Sequence, residues 1–282
     1  MTENAAETQS FQFNIGVLRS QMTLQIHTRH ASRLWYGRRT TKDKPGIMGL
    51  GAFMSITNKI NIGSRQDDPY ADMWMLNVEE KIDQTKALLG TLKKEIDDVF
   101  NSVPSTFSLS ENLNIQPANL PVFAGSHLGY LAIYVLAQYD EIVRKALLAF
   151  HIALIHRAGL DHWLNRGDKY LRSLLAVVVR YHFSGVTRKD FVEGNAAAQA
   201  AIEKYGEVPQ DIFDGTRRSR FSPPLRTNED EDSDDVDEAI TEEDLQHEAN
   251  LTIVIPTESQ IDAMEAEAAA GETLEESEDS DV

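Results

Sequence analysis

The sequence predicts a mainly α-helical protein with one short β-strand near the N-terminus and a long acidic C-terminal tail. Three observations support this fold class. Apolar residues recur at helical spacing in several long segments after Pro45. At residues 17–28 they instead alternate with polar residues, as in a strand. From residue 228 onward acids dominate and aromatic residues are scarce, a composition typical of disorder.

The net charge of −18 describes the tail and not the rest of the chain. Residues 229–282 hold 22 of the 45 acids and no Lys or Arg, so the preceding residues have 23 acids against 27 bases. The basic region, residues 19–66, carries nine Lys or Arg and one acid, Asp43, a local net charge of +8. A segment of this charge favours a polyanionic partner.

Several classes of protein are excluded by composition. The chain has no cysteine, so it has neither a disulfide framework nor a thiolate metal site. The N-terminus lacks the basic and apolar regions of a secretory signal. The most apolar stretch, 128–155, is interrupted by four charged residues and therefore indicates a core helix instead of a membrane span. We expect a cytoplasmic protein with no membrane partner.

The first strand has two faces of different polarity. Met22, Leu24 and Ile26 alternate with polar residues, and strand side chains alternate sides, so the polar residues share one face. A two-stranded ribbon fits the major groove of B-DNA, where Gln suits adenine and Arg suits guanine. A single strand is not a ribbon, so we expect a homodimer in which the strand pairs with its copy. The predicted base contacts are Arg19, Gln21, Thr23, Gln25 and His27.

The strand is followed by a short helix, a basic loop (residues 38–44) and a second helix. A short helix over residues 31–36 is ended by Gly37, and Pro45 is favoured at the first position of the next helix. The free N–H groups at such a helix start bind phosphate. The alternative interpretation is an amphipathic edge strand with a loop that only keeps the surface soluble. The predicted phosphate contacts are Arg29, Arg38, Arg39, Lys42, Lys44 and Gly46.

A long third helix is predicted from Asp68-Pro69 to about Phe100. Its apolar spacing of three and four is that of a coiled-coil seam, and also that of an amphipathic helix packed on its own domain. The sequence leaves both alternatives open. Further helices are predicted at 128–156, 161–183 and 187–205. The seam positions are Met75, Val78, Ile82, Thr85, Leu89, Leu92, Ile96 and Val99.

The predicted organisation has five parts. The acidic tail is either a solubilising extension or a segment that competes with DNA for basic residues, and its apolar island, 251–255, could dock on a partner. The parts are a flexible N-terminus (1–16), a DNA-binding region (17–66), a helical body for dimerisation or partner binding (67–214), an exposed basic linker (215–227) and the disordered acidic tail (228–282).

No motif indicates an enzyme. His151, His156 and His162 do not have the spacing of paired metal ligands. The glycines at 46–51 lack the Gly-Lys-Ser/Thr ending of a phosphate-binding loop and indicate close helix packing. No Gly-x-Ser-x-Gly is present. We therefore expect a non-enzymatic protein without cofactor or metal.

Several clusters of residues, in order along the chain, resemble one known family. They are Leu18-Arg19-Ser20, His27-Thr28-Arg29-His30-Ala31, Arg33-Leu34-Trp35-Tyr36-Gly37-Arg38, Lys44-Pro45-Gly46-Ile47, Asp67-Asp68-Pro69-Tyr70-Ala71-Asp72-Met73-Trp74, Tyr139-Asp140 with Arg144-Lys145-Ala146-Leu147, and Phe183-Ser184-Gly185-Val186-Thr187-Arg188. Together they resemble the AcaB family, which is encoded by integrating conjugative elements and related conjugative plasmids.

The resemblance runs from about residue 17 to residue 223 and implies a transcriptional regulator of conjugative transfer with a ribbon-helix-helix DNA-binding part. It implies that Gln21, Thr23 and Gln25 read bases and that residues 44–47 form a phosphate-anchoring helix start. A minimal ribbon-helix-helix unit is far shorter than this chain. Residues 67–223 therefore need a further role, such as dimerisation or partner binding.

The sequence leads to one main hypothesis. It is a homodimeric, sequence-specific binder of double-stranded DNA that regulates transfer genes of a mobile element at the nucleoid, as an activator more than as a repressor. RNA polymerase or another element-encoded protein is a further expected partner. The alternative is a non-enzymatic helical adaptor of the conjugation or DNA-processing machinery, suggested by the long third helix.

Overall fold

A computed structural model describes residues 22–38 and 46–225, and it confirms a mainly helical fold with a small sheet. No helix within these residues has the length and apolar character needed to cross a membrane. The elements are β1 (Met22–Ile26), α1 (Arg29–Tyr36), α2 (Leu50–Arg65), α3 (Pro69–Phe100), β2 (Ala118–Val122), α4 (His127–His151), α5 (Arg157–Ala176), a 3₁₀ turn (Val177–Arg180), α6 (Arg188–Glu193), α7 (Ala196–Tyr205) and α8 (Gln210–Phe213).

The core forms where the two longest helices, α3 and α4, pack against each other. Helices α2 and α5 each contact both of them, and α1 contacts α2, α4 and α5. One hydrophobic cluster contains buried residues from β1 through α5. The described residues of the DNA-binding region predicted at 17–66 therefore share one core with the helical body.

Helix α3 begins and ends where the sequence predicts. Asp68 is its N-cap, accepting hydrogen bonds from the backbone N–H of Tyr70 (2.8 Å) and Ala71 (3.3 Å), and Pro69 occupies the first helical position. The seam from Met75 to Ile96 is buried against the chain's own helices. Of the two alternatives for this helix, the structure therefore supports an amphipathic helix packed on its own domain.

The predicted start of the second helix is wrong. The backbones of Arg38 and Ile47 exchange two hydrogen bonds (2.8 and 2.7 Å), so the residues after Pro45 form a short β-bridge instead of a helical turn. Helix α2 starts at Leu50 with Gly49 as its N-cap. Gly46 and Ile47, the described part of the predicted helix start at 44–47, therefore do not belong to a helix. Helix α1 ends at Gly37 as predicted, with φ at +71°.

Three other predicted boundaries are corrected. Helix α4 ends at His151, because Ala153 takes a positive φ of 58°, and α5 already begins at Arg157. The helix predicted at 187–205 is two helices. Gly194 ends α6 with φ at +63°, and the Asn195 side chain accepts a hydrogen bond from the N–H of Ala198 to cap α7.

The arginine segment, residues 215–225, packs on α3 and is not an exposed linker where it is described. Arg218 pairs with the buried Asp72 through two hydrogen bonds of 2.9 and 3.0 Å. Further pairs join Arg217 to Glu80 (3.0 Å), and Arg220 to Glu79 (2.6 Å) and Asp83 (2.9 Å). The expectation failed because the matching acids form a stripe on a helix far away in sequence.

Candidate nucleic-acid interface

The polar strand face predicted from the sequence is part of a two-stranded ribbon. Strand β1 pairs antiparallel with β2, with Thr23 opposite Pro121 and Gln25 opposite Asn119. Because opposite residues of an antiparallel pair point to the same side, these four side chains share one face, and all four are exposed. The face carries two carboxamides and a hydroxyl.

The second strand of the ribbon comes from the same chain and not from a second copy. The homodimer was inferred from the need for a partner strand, and β2 meets this need. The ribbon in the structure is therefore formed within one chain, and the expected pairing of the first strand with its copy is not what forms it. Residues 106–123 were expected to be extended, but only Ala118–Val122 forms a strand.

The inner face of the ribbon is anchored most firmly where β1 meets α1. Ile26 is 2% exposed and Leu24 is half-buried, whereas Met22 at the opposite end is 40% exposed. The opposing Leu120 and Val122 of β2 are buried. The alternation predicted for this strand is therefore present over its described residues. Arg19 and Gln21 lie outside them.

A buried carboxylate holds the connection between β1 and α1. Asp140 of α4 accepts hydrogen bonds from the backbone N–H of Thr28 (2.8 Å) and of His27 (3.2 Å), and from the Thr28 hydroxyl (2.7 Å). The Arg144 guanidinium lies 3.4 Å from the same carboxylate. Thr28 is also the N-cap of α1, since its Oγ accepts from the N–H of Ala31 (3.3 Å). Sequence reasoning missed Asp140 in this role.

His27 stands at the end of the polar face with one ring nitrogen occupied. Its Nδ1 accepts the backbone N–H of Asn114 (3.2 Å), and its carbonyl oxygen accepts from the Asn114 amide (3.3 Å). A neutral imidazole whose Nδ1 is an acceptor carries its proton on Nε2. Because Nδ1 is occupied by Asn114, Nε2–H is the group that a neutral His27 can offer as a donor. The side chain is half-buried.

Helix α1 presents two exposed arginines one turn apart. Arg29 occupies its first position and Arg33 lies four residues later, a spacing that puts both on one face. Neither forms an ion pair with another residue in the described ranges. Burial lowers the pKa of His30, and the charges of Arg33 and Arg29 lower it further. Arg33 was not among the predicted contacts, although its position was visible in the helical spacing.

The ends of the basic loop are held close together. A Cβ built on Gly37 would lie 2.4 Å from the backbone nitrogen of Gly49, so only glycine permits this approach of α1 to α2. Arg38 and Gly46 are exposed at the two ends of the loop. Of the other predicted phosphate contacts, Arg39, Lys42 and Lys44 lie outside the described residues. Gly46 precedes α2 by four residues and does not belong to its first turn.

Comparison with known proteins gave one match. Residues 14–226 match the sequence model of a family described as transcriptional regulator AcaB. The match covers most of the chain and includes the ribbon, α1, α3 and the arginine segment. No curated protein and no solved structure matched the chain.

Proposed function

Because the chain belongs to the AcaB family of transcriptional regulators, we propose that it binds specific sequences in double-stranded DNA. The proposed role is to regulate transfer genes of a conjugative mobile element at the nucleoid. Activation is the proposed direction of this regulation, and repression is the alternative. The observation that carries the proposal is the exposed polar face of the β1–β2 ribbon. A ribbon of this kind has the dimensions to enter the major groove of B-DNA.

The side chains of this face suit base recognition. The carboxamides of Gln25 and Asn119 stand opposite each other, and a carboxamide can bind both N6 and N7 of adenine. Thr23 offers a hydroxyl and a methyl group, the latter suited to the methyl of thymine. Arg19, Gln21 and His27 are proposed to extend the reading face. Each well-placed pair contributes about 1–3 kcal/mol of discrimination between bases.

The exposed cations beside the ribbon are proposed to hold the DNA backbone. Arg29 and Arg33 lie on the helix that directly follows β1, and Arg38 lies at one end of the basic loop. Arg39, Lys42, Lys44 and the backbone of Gly46 belong to the same proposed set. Such contacts orient a protein on the duplex without reading its sequence. Their contribution falls as the salt concentration rises, because the counterions that the protein displaces from the DNA then gain less entropy.

A homodimer remains part of the proposal, on a different ground. Because β2 of the same chain completes the ribbon, a second copy would bring a complete two-stranded ribbon of its own, and each ribbon would enter its own stretch of major groove. A two-fold dimer predicts an operator with two inverted half-sites.

The test is selection of bound sequences from a random pool of duplex DNA by the full-length chain, followed by gel shifts over a salt series. We expect enrichment of one sequence. Changing Thr23, Gln25 and Asn119 together to Ala should remove the preference for it but leave weak, salt-sensitive binding. Absence of any enriched sequence, or full preference in the triple variant, would refute the proposed reading face.

A second pair of variants separates holding from reading. Arg29→Gln with Arg33→Gln should weaken binding to selected and random duplex alike and reduce the salt dependence. The matched control is Arg157→Gln with Lys94→Gln, which removes the same charge from α5 and α3. If both double variants weaken binding equally, the arginines of α1 act only through net charge.

A helical adaptor is the second candidate function, and one observation favours a protein partner. The loop between α3 and β2 exposes four large apolar side chains, and Ile115 is 96% exposed. Large exposed apolar surfaces mark sites of protein contact, and four such side chains on one loop are candidates for one. RNA polymerase or another element-encoded protein is the proposed partner. An adaptor would bind a protein partner and enrich no DNA sequence. An activator would bind a protein partner and also enrich one DNA sequence. The four residues are Phe107, Leu109, Leu113 and Ile115.

A further inference from the structure

We propose that Asp140 is a positioning residue for DNA recognition, which fixes the angle between the reading ribbon and the phosphate-holding helix α1. The inference rests on the proposed function, because it assigns to Asp140 the alignment of two sets of DNA contacts. Asp140 itself touches no DNA in this scheme. It is 3% exposed, in the middle of α4, beneath the connection between β1 and α1.

The connection is only two residues long, and both of its backbone N–H groups end on this carboxylate. His27 and Thr28 separate the last residue of β1 from the first of α1. Their φ and ψ angles alone set the direction of the strand relative to the helix, since the peptide bonds are planar. The hydrogen bonds of 3.2 and 2.8 Å to Asp140 fix the two peptide planes against α4.

The Thr28 hydroxyl extends this restraint into α1. Its proton is donated to Asp140 at 2.7 Å, which leaves an oxygen lone pair for the N–H of Ala31 in the first turn. The carboxylate therefore orients the hydroxyl that caps the helix. Arg29, proposed to hold phosphate, lies in the same turn. A change at Asp140 would alter the orientation of Arg29 relative to Gln25 without touching either.

The chemistry of the group supports a role beyond packing. A buried carboxylate is costly to desolvate, and an apolar residue at such a position is often at least as stabilising. A carboxylate has acceptors on both oxygens, so it can bind the N–H groups of His27 and Thr28 at once. One oxygen, Oδ1, lies 2.8 Å from the nitrogen of Thr28 and 3.3 Å from that of His27, and the second lies 3.2 Å from that of His27. An asparagine would keep the first oxygen but turn its NH₂ group, a donor, toward the N–H of His27. Only the acid offers both N–H groups acceptors without placing a donor against one of them.

The experiment compares Asp140→Asn with Glu141→Gln in the full-length chain. The two variants change net charge equally on neighbouring residues, and Glu141 pairs with Lys93 on α3 (2.8 Å) and not with the ribbon. The probes are the enriched duplex and the random duplex pool. We expect Asp140→Asn to lower the ratio of the two affinities by about fivefold or more, the loss of one base contact. Glu141→Gln should keep the wild-type ratio.

Hydrogen exchange supplies a second readout that DNA binding does not influence. In Asp140→Asn the amides of His27 and Thr28 should exchange faster than in the wild type, whereas that of Leu120 in β2 should not. Faster exchange with an unchanged affinity ratio would overturn the positioning role and leave the proposed function intact. If the wild type prefers no sequence, the proposed function fails, and exchange still reports whether Asp140 holds the connection.

A milder pair of variants covers the case in which Asp140→Asn does not fold. Thr28→Val removes only the hydroxyl, and Thr28→Ser keeps it. We expect the valine variant to lose part of the affinity ratio and the serine variant to retain it, at a temperature where circular dichroism shows both folded. Equal ratios in the two variants would contradict the relay through the Thr28 hydroxyl and with it the proposal.

Discussion

Replacing Asp72 with Ala should destabilise the protein more than any other single loss of charge in its described part. Asp72 is fully buried in the first turns of α3 and accepts a hydrogen bond from Ser64 (2.5 Å). It also accepts hydrogen bonds from Arg188 (2.6 Å) and from Nη2 and Nε of Arg218 (2.9 and 3.0 Å). The two guanidinium groups are largely buried as well. Removal of the carboxylate therefore leaves Arg218 without its carboxylate partner and removes one of the two carboxylates that pair with Arg188.

The magnitude follows from what each cation retains. Arg188 keeps Asp67 at 2.7 Å, whereas Arg218 keeps only the carbonyl oxygen of Pro223. Breaking a buried ion pair costs about 3–5 kcal/mol, because the remaining charge stays desolvated. We expect a loss within this range in the free energy of unfolding. For a chain of this size each kcal/mol shifts Tm by about 2–4 °C, which gives a shift of about 6–20 °C.

Urea unfolding followed by circular dichroism measures this loss. The matched control is Asp161→Ala, which removes an acid from an exposed pair whose Arg157 side chain is 75% exposed. A pair of that kind contributes about 0–1 kcal/mol. If Asp72→Ala costs no more than Asp161→Ala, the cluster is not a significant source of stability. A double variant with Arg218→Met should recover part of the loss, because it removes one stranded charge.

Two further predictions concern the N-caps of α3 and α2, Asp68 and Gly49. Burial raises the pKa of Asp68, so its contribution to stability is complete below the unfolded pKa and declines as pH rises through the folded value. Asp68→Asn keeps the capping oxygen and should be at least as stable as the wild type at pH 7 by urea unfolding, with the difference closing on acidification; Asp68→Ala should lose about 1 kcal/mol. Gly49→Ala would place a Cβ 2.6 Å from the carbonyl oxygen of Trp35 and should cost about 1–3 kcal/mol. The control Gly51→Ala meets open space and should be neutral or stabilising, and equal losses would contradict the close-approach argument.

Local signals in the sequence were sufficient for the features that depend on neighbouring residues. The Asp68-Pro69 pair fixed the start of α3, Gly37 the end of α1, and the alternation at β1 its exposed face. Each of these is determined within a few residues by capping, backbone freedom or side-chain direction. The boundary at Pro45 failed because Arg38 pairs with Ile47, and a β-bridge of this kind leaves no periodic pattern.

The remaining features depend on contacts between distant residues. The β1–β2 pairing joins residues more than 90 positions apart, and polar alternation over 106–123 did not indicate which five would pair. Asp140 interrupts an apolar helix in the same way as a solvated acid would, so nothing local identified its contact with Thr28. Likewise, the arginines at 217–220 are basic in composition, and only the fold brings them to the acids of α3.

The ion pairs of the arginine segment narrow the possible action of the acidic tail. The tail could compete with DNA by binding either the basic region or the arginines that follow residue 215. Arg217, Arg218 and Arg220 already pair with acids of α3, and the partner of Arg218 is fully buried. The tail would have to displace these acids to bind there. Exposed cations such as Arg29 and Arg33 have no such partner within the described residues.

If the tail competes with DNA, its target is therefore the basic region. Deleting residues 228–282 should tighten binding to random duplex at low salt, because 22 acids are removed, and the gain should shrink as salt screens the charges. The same deletion in the Arg29→Gln, Arg33→Gln background should give a smaller gain. A full gain in that background would place the competition elsewhere. Unchanged binding in both would mean that the tail acts as a solubilising or partner-docking segment, since its charge then has no access to the DNA-binding surface.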